Sequence, residues 1–335
     1  MESESAKKIK FQAGNTYFLI CYALVCGGKS TFYEQIISQT GAEENKDKYN
    51  IKMVSSDQIR ANLSKEMQAK NKDMTFKQCF DKVGKDTARE FDKQIQAAIN
   101  SYNRNKINII LVDKNYPQGI DAFMKKFCKH RNTQFFIVFI PNISKPINIS
   151  DLKFPYSLNY FIQCYLRLKN RHGHEVLNGE DEESKLVYIS FFKLFQNFDF
   201  NKIVKGHDNK KKEKEKEMDE NKPTAKKKER SRERDYDKKK DRFNFDDNVF
   251  LQKIDFTDES KDIEVDEETE KFFKNVIEKM KAFDMNDLKN NFQKDIDSFF
   301  KMLDDKYDGK NAFADTREKI KDEVTDLLTN GYDEK

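Results

Sequence analysis

Residues Tyr17–Thr31 read YFLICYALVCGGKST, and the fold turns on this stretch. An apolar, aromatic run stops abruptly at Gly27-Gly28-Lys29-Ser30-Thr31. Such a run has the length of a buried strand, and the glycines after it have the freedom a tight loop needs. Counting back from Gly28 puts Ala23 where a Walker A loop has its first glycine, so the pattern is A-x-x-x-x-G-K-S. The spacing has a chemical reason. Successive loop N–H groups turn inward around phosphate oxygens, and the helix that follows aims its positive end at the same anion. Cys26, Gly27, Gly28, Lys29, Ser30 and Thr31 are therefore the expected nucleotide-binding residues. Lys29 reaches the β- and γ-phosphates, and Ser30 offers a hydroxyl to Mg²⁺.

Working outward, residues 15–207 alternate strand-length apolar runs, at 17–25, 51–55, 107–112 and 134–140, with segments of helical spacing. Strand and helix in alternation imply an α/β fold, a parallel sheet with helices on both faces. Residues 1–14 read as a polar N-terminal tail. Residues 208–242 hold 16 Lys/Arg against 11 Asp/Glu with almost no apolar residue, a charged linker or insertion unable to bury a core. Its surplus of positive charge favours polyanions weakly. Val249–Phe256 reads as one more strand, the expected last strand of the same sheet, which makes 208–242 an insertion. In residues 257–335, Phe272, Phe273, Val276, Ile277 and Met280 keep helical spacing, as do Phe292, Ile296, Phe299, Phe300 and Leu303, and then Ile320, Val324, Leu327 and Leu328. This tail is expected to form amphipathic helices that dock on the core, on each other or on a protein partner.

The chain has 335 residues and a net charge of +4, with no apolar run near the ~20 residues of a membrane span. Its five cysteines, Cys21, Cys26, Cys79, Cys128 and Cys164, form no C-x-x-C pair and lie on or beside apolar runs. Reduced, buried thiols are the expectation, and with them a cytoplasmic or nuclear protein.

Three further patterns carry chemistry. The second apolar run ends in Ser55-Ser56-Asp57-Gln58-Ile59-Arg60. Ligands of open parallel sheets bind outside the carboxyl ends of the strands, so Asp57 would face the site and accept a proton from an attacking hydroxyl. Arg60, one turn on, would share that face and grip a phosphate of the acceptor. Alone, Asp57 would read as a helix cap. The third run ends Val112-Asp113-Lys114-Asn115, where Asp113 suits a carboxylate that holds Mg²⁺ or orients Ser30. The fourth pattern is Arg167-Leu-Lys-Asn-Arg171-His-Gly-His174, whose two arginines share a helix face and suit the charge on a transferring phosphoryl group.

Taken in order, the loop, Asp57-x-x-Arg60, Val112-Asp113-Lys-Asn115 and Phe154-Pro-Tyr-Ser-Leu158 leading to Arg167-x-x-x-Arg171-x-x-His174 resemble the kinase domain of fungal-type tRNA ligases, which is similar to polynucleotide 5′-kinases. The resemblance covers roughly residues 15–205. It implies transfer of the γ-phosphate of ATP or GTP to a 5′-hydroxyl RNA end, as in tRNA splicing or RNA repair. Asp57 would be the general base, Arg60 the binder of the acceptor's 3′-phosphate, and Arg167 and Arg171 lid arginines. Ala23 departs from the pattern. The four histidines make no His-x-Thr/Ser motif, so the phosphodiesterase domain of such ligases is not expected. Lys306-Tyr-Asp-Gly309 matches an adenylyltransferase nucleophile in letters, but only 26 residues follow it. A stand-alone kinase-like module is the expectation. A kinase-derived scaffold and a small-molecule kinase of the same fold are the competing ones.

Overall fold

The computed structural model describes residues 8–116, 119–128, 133–141, 148–149, 152–153, 158–171, 182–196, 248–254, 256, 264–280, 291–307 and 316–333. In chain order the elements are β1 (Lys8–Ile9), β2 (Thr16–Cys21), α1 (Lys29–Thr40), β3 (Tyr49–Ser55), α2 (Ser56–Lys70), α3 (Phe76–Lys82), α4 (Gly84–Asn100), β4 (Ile107–Asp113), α5 (Ile120–Phe127) and β5 (Gln134–Pro141). Then come β6 (Asn148–Ile149), β7 (Leu152–Lys153), α6 (Leu158–Lys169), α7 (Glu182–Gln196), β8 (Val249–Ile254), α8 (Glu267–Met280), α9 (Gln293–Tyr307), α10 (Thr316–Asn330) and β9 (Tyr332–Asp333). The charged stretch 208–242, Phe154–Ser157 and His174 lie outside the described residues.

Five strands form one all-parallel sheet in the order β3-β4-β2-β5-β8. The sequence therefore folds as an α/β protein whose sheet is compatible with a P-loop-like fold. β2, which carries the loop, is the central strand. β4 and β5 flank it, so the chain reverses its lateral direction beside β2, where open sheets leave a crevice at their carboxyl edge.

Strand side chains alternate between two apolar layers, as a sheet covered on both faces requires. Phe18, Ile20, Ile110, Val112, Phe136 and Val138 join one core with α4, α5, α6, α7, α8 and α9. Tyr17, Leu19, Ile109, Leu111, Ile137 and Phe139 join the other with α1 and α10. A fully buried side chain of this size contributes about 1.5–3 kcal/mol, so continuous apolar strands are what hold the sheet between its helices.

The tail is part of both layers. Phe273 and Phe299 of α8 and α9 lie against Phe161 of α6, with ring centroids 5.2 and 6.2 Å away. Ile320, Val324 and Leu327 of α10 are buried in the α1 layer. The apolar stripes that the sequence offered to a partner are thus occupied by the chain's own core. Lys306 bridges Asp266 and Glu268 at the start of α8, at 2.9 and 2.7 Å, a structural tie for the Lys-x-Asp-Gly look-alike. Lys8 and Ile9 are also tied down, because β1 pairs antiparallel with β9. Among the described residues no helix is long and apolar enough to cross a membrane.

Candidate active site

The loop between β2 and α1 follows from two unusual backbone angles. Cys26 has φ +61° and Gly28 has φ +92°. Left-handed residues interleaved with an ordinary one turn successive N–H groups toward one concave side, the arrangement that suits an anion. Gly28 needs its missing side chain, whereas Cys26 carries a real strain, the kind found at functional loops. Ala23 is fully buried and has no positive φ, so its methyl group is accommodated and the left-handed burden falls on Cys26 and Gly28. The N–H of Gly27 bonds back to Leu24 O at 2.9 Å and tightens the loop.

Two neighbours fix the loop in place. Tyr33 of α1 accepts from Cys21 N at 2.8 Å and donates to Val112 O at 3.0 Å, pinning α1 to the ends of β2 and β4. On the other side α6 lies against the loop. Tyr160 Oη donates to Gly27 O at 2.9 Å, and a Cβ on Gly27 would sit 2.1 Å from that hydroxyl. Only glycine fits there. Arg167 Nη1 donates to Cys26 O at 3.4 Å, and Arg171 Nη1 lies 3.8 Å from Cys26 Sγ. Burial pushes the Cys26 thiol upward, and the two guanidiniums oppose that shift. Cys164, on the buried side of α6, is pushed up to about 12 by burial.

A cleft of ≈ 1130 Å³ opens at the carboxyl edge of the sheet. Lys29, Ser30, Thr31, Asp57, Asp113, Arg167 and Arg171 all line it, together with Cys26, Gly27 and Gly28. Lys29 and Asp113 form a largely buried ion pair across the central strands. Asp57 sits in the first turn of α2, exposed at the mouth, on a helix whose start is capped by Ser55 Oγ accepting from Gln58 N at 3.4 Å. Its negative charge faces the positive end of that helix.

One expectation needs correction. Arg60 does not line the cleft. Its Nε donates to Phe80 O at 3.0 Å, and its guanidinium stacks 3.8 Å from the Phe80 ring centroid. A three-residue step falls about 60° short of a full helical turn, which carries Arg60 around α2 toward α3. Burial there lowers its pKa, opposed by the carboxylates of Asp81 and Asp57. The four-residue stripe Asp57, Ala61 and Lys65 lines the cleft together with Gln58, Ile59 and Asn62. That spacing was the signal in the sequence that finds Lys65. Arg167, in α6, and Arg171, two residues past its end, both line the cleft.

The residues fit a Mg²⁺–nucleotide by their donor chemistry. Mg²⁺ takes one or two protein oxygens and completes its shell with water and substrate phosphate. Ser30 and Asp113 are oxygen donors that line the same cleft as Lys29. Arg167 Nη2 is buried with no hydrogen-bond partner among the described residues, as a donor awaiting an anion would be. Asn115, quoted in the sequence but given no role there, also lines the cleft and has a buried Oδ1 without a partner. Gln94 of α4 lines it too. No protein-family model matches this chain, and no curated protein matches it.

Proposed function

We propose that this protein is a phosphotransferase that moves the γ-phosphate of ATP or GTP to a hydroxyl acceptor, and that the acceptor is the 5′-hydroxyl end of RNA. The observation that carries the reading is the convergence of Lys29, Ser30, Asp57, Asp113, Arg167 and Arg171 on one cleft beside a strained glycine loop. Lys29 and the two arginines supply cations where negative charge spreads over a transferring phosphoryl group, and phosphoryl transfer asks for little more than such charge and positioning. Asp57 accepts the proton of the acceptor hydroxyl as its oxygen bonds to the γ-phosphorus. The bond to the bridging oxygen breaks, and the nucleoside diphosphate leaves with that electron pair. Lys29, held by Asp113 without nucleotide, turns to the phosphates when they enter. Ser30 and Asp113 would hold a Mg²⁺, which would neutralise phosphate charge. The RNA acceptor is supported by the resemblance to tRNA ligase kinase domains, not by Arg60, which serves α3.

A small-molecule acceptor is the second reading, and the removal of Arg60 from the cleft favours it. The test is transfer of label from ATP or GTP, with Mg²⁺, to a 5′-hydroxyl RNA oligonucleotide, with Lys29→Ala and Asp57→Ala beside the wild type. Label on RNA that disappears in both variants supports the first reading. Nucleotide binding with no label on RNA moves the assignment to a small acceptor or to a kinase-derived scaffold.

A further inference from the structure

We infer that Asn115 reads a second hydroxyl on the acceptor, and so separates a ribose end from a deoxyribose end; this rests on the phosphotransfer reading above and adds a specificity residue to it. Asn115 stands two residues beyond Asp113, in the cleft. Its neighbour Lys114 turns away, with its ammonium 5.0 Å from the Phe91 ring and 5.1 Å from the Tyr116 ring. The Asn115 Oδ1 is buried and has no partner among the described residues. A buried acceptor left unpaired is costly and rare in a native structure, so a missing ligand donor is the natural cause.

Several of the cleft's own donors make bonds elsewhere. Gln94 Nε2 donates to Glu90 at 3.3 Å, Gln58 Nε2 to Asn62 at 2.9 Å, and Asn170 Nδ2 to Leu166 O at 3.0 Å. Lys29 is held by Asp113. A donor that arrives with a ligand would satisfy it. It is not a phosphate, because ionised phosphate oxygens only accept; those suit the unpaired Arg167 Nη2 instead. Nor is it the reacting hydroxyl, whose single proton goes to Asp57. A second hydroxyl on the acceptor supplies such a donor. On an RNA 5′ end, where the 3′ oxygen is esterified, that group is the ribose 2′-hydroxyl, the atom by which proteins tell RNA from DNA.

The experiment uses the full-length protein and two oligonucleotides, a 5′-hydroxyl RNA and the same RNA with one 2′-deoxy nucleotide at its 5′ end. Initial rates give kcat/KM for wild type, Asn115→Ala and Asn115→Asp, with thermal unfolding recorded for each. Wild type is expected to favour the ribose end by roughly tenfold or more, as sites built to bond a hydroxyl do. Asn115→Ala should lose that ratio without losing thermal stability, and Asn115→Asp, which keeps an acceptor oxygen, should retain it. Equal use of both oligonucleotides by wild type overturns the inference while leaving phosphotransfer standing. So does a preserved ratio in Asn115→Ala, a lowered melting temperature in that variant, or a raised Mg²⁺ requirement that is the same for both acceptors. If wild type phosphorylates neither oligonucleotide, the RNA-kinase reading itself falls, and the inference with it.

Discussion

Asn108 and Asn115 sit at opposite ends of β4, and the same side chain does opposite things there. Asn108 is buried at the amino edge, and every polar atom of its amide is used. Its Nδ2 donates to Asn15 O at 3.1 Å, Asn103 O at 2.9 Å and Lys106 O at 3.1 Å. Its Oδ1 accepts from Asn103 N at 2.7 Å and Asn50 Nδ2 at 2.9 Å. That edge is also closed by the pairing of β1 with β9 and by Phe11, whose ring meets Tyr17 edge-on at 4.7 Å. Asn115, beyond the carboxyl end, leaves its buried oxygen unpaired in the cleft. The difference is between a saturated polar group at the amino edge and one with unused capacity at the carboxyl edge, the pattern that a structural and a ligand-binding group would respectively show.

The comparison can be broken most decisively at Lys29. Lys29→Ala is expected to cut phosphate transfer by about 10²–10³-fold, the size of effect seen when one preorganised donor to a developing charge is removed. It should also destabilise the fold, because Asp113 is left as a largely buried carboxylate without its cation. Steady-state transfer and chemical denaturation check the two parts, and intact turnover in this variant would refute the assignment of the carboxyl edge.

Asn108→Ala should be the mirror image. It leaves the Asn103 N–H without its acceptor and takes one bond each from the carbonyls of Asn15, Asn103 and Lys106, which keep backbone donors; it should cost about 1–3 kcal/mol of stability, with kcat/KM of the surviving folded protein unchanged. Asn115→Ala removes a buried group that has no partner, so urea unfolding should show no loss. If the two asparagine variants lose equal stability, the distinction between the edges collapses.

Gly27→Ala tests the contact between the loop and α6. The added methyl meets Tyr160 Oη and, at 2.8 Å, Leu24 O, so helix or loop must shift. Overpacking of this kind costs about 1–3 kcal/mol, and nucleotide affinity measured by titration calorimetry should fall with it. Tyr160→Phe in the same background keeps the clash with the ring and should restore affinity only in part.

The smallest expected effect is electrostatic and lies far from the cleft. The Thr269 N–H, then Lys306, hold the Asp266 carboxyl down at about 2. A carboxyl with a depressed folded pKa contributes stability that is present above its unfolded value, about 3.9, and is lost as pH falls through 2. A slight loosening at the start of α8 between pH 4 and pH 2 is expected, readable by hydrogen exchange there. Asp266→Asn should abolish that pH dependence.

The parallel sheet and the loop were legible in the sequence because both are written locally. Continuous apolar strands next to Gly27-Gly28-Lys29-Ser30 specify burial on two faces and a phosphate-sized turn whatever the rest of the chain does. Asp57 and Asp113 followed from their places at strand ends, since parallel strands deliver those ends to one edge. What the sequence could not settle were the matters decided by neighbours distant along the chain. Arg60 and Asp57 are three residues apart, yet Phe80 takes the guanidinium and separates them. The helical stripes of the tail are equally apolar whether they meet a partner or the chain itself, and the buried surfaces of α6 and α1 decided for the chain. Ala23, a departure from the loop pattern, is buried without a left-handed turn, which Cys26 and Gly28 carry instead. Asn108 and Asn115 are the same letter; only the tertiary structure, by supplying five partners to one and none to the oxygen of the other, made the first a brace and the second a candidate site.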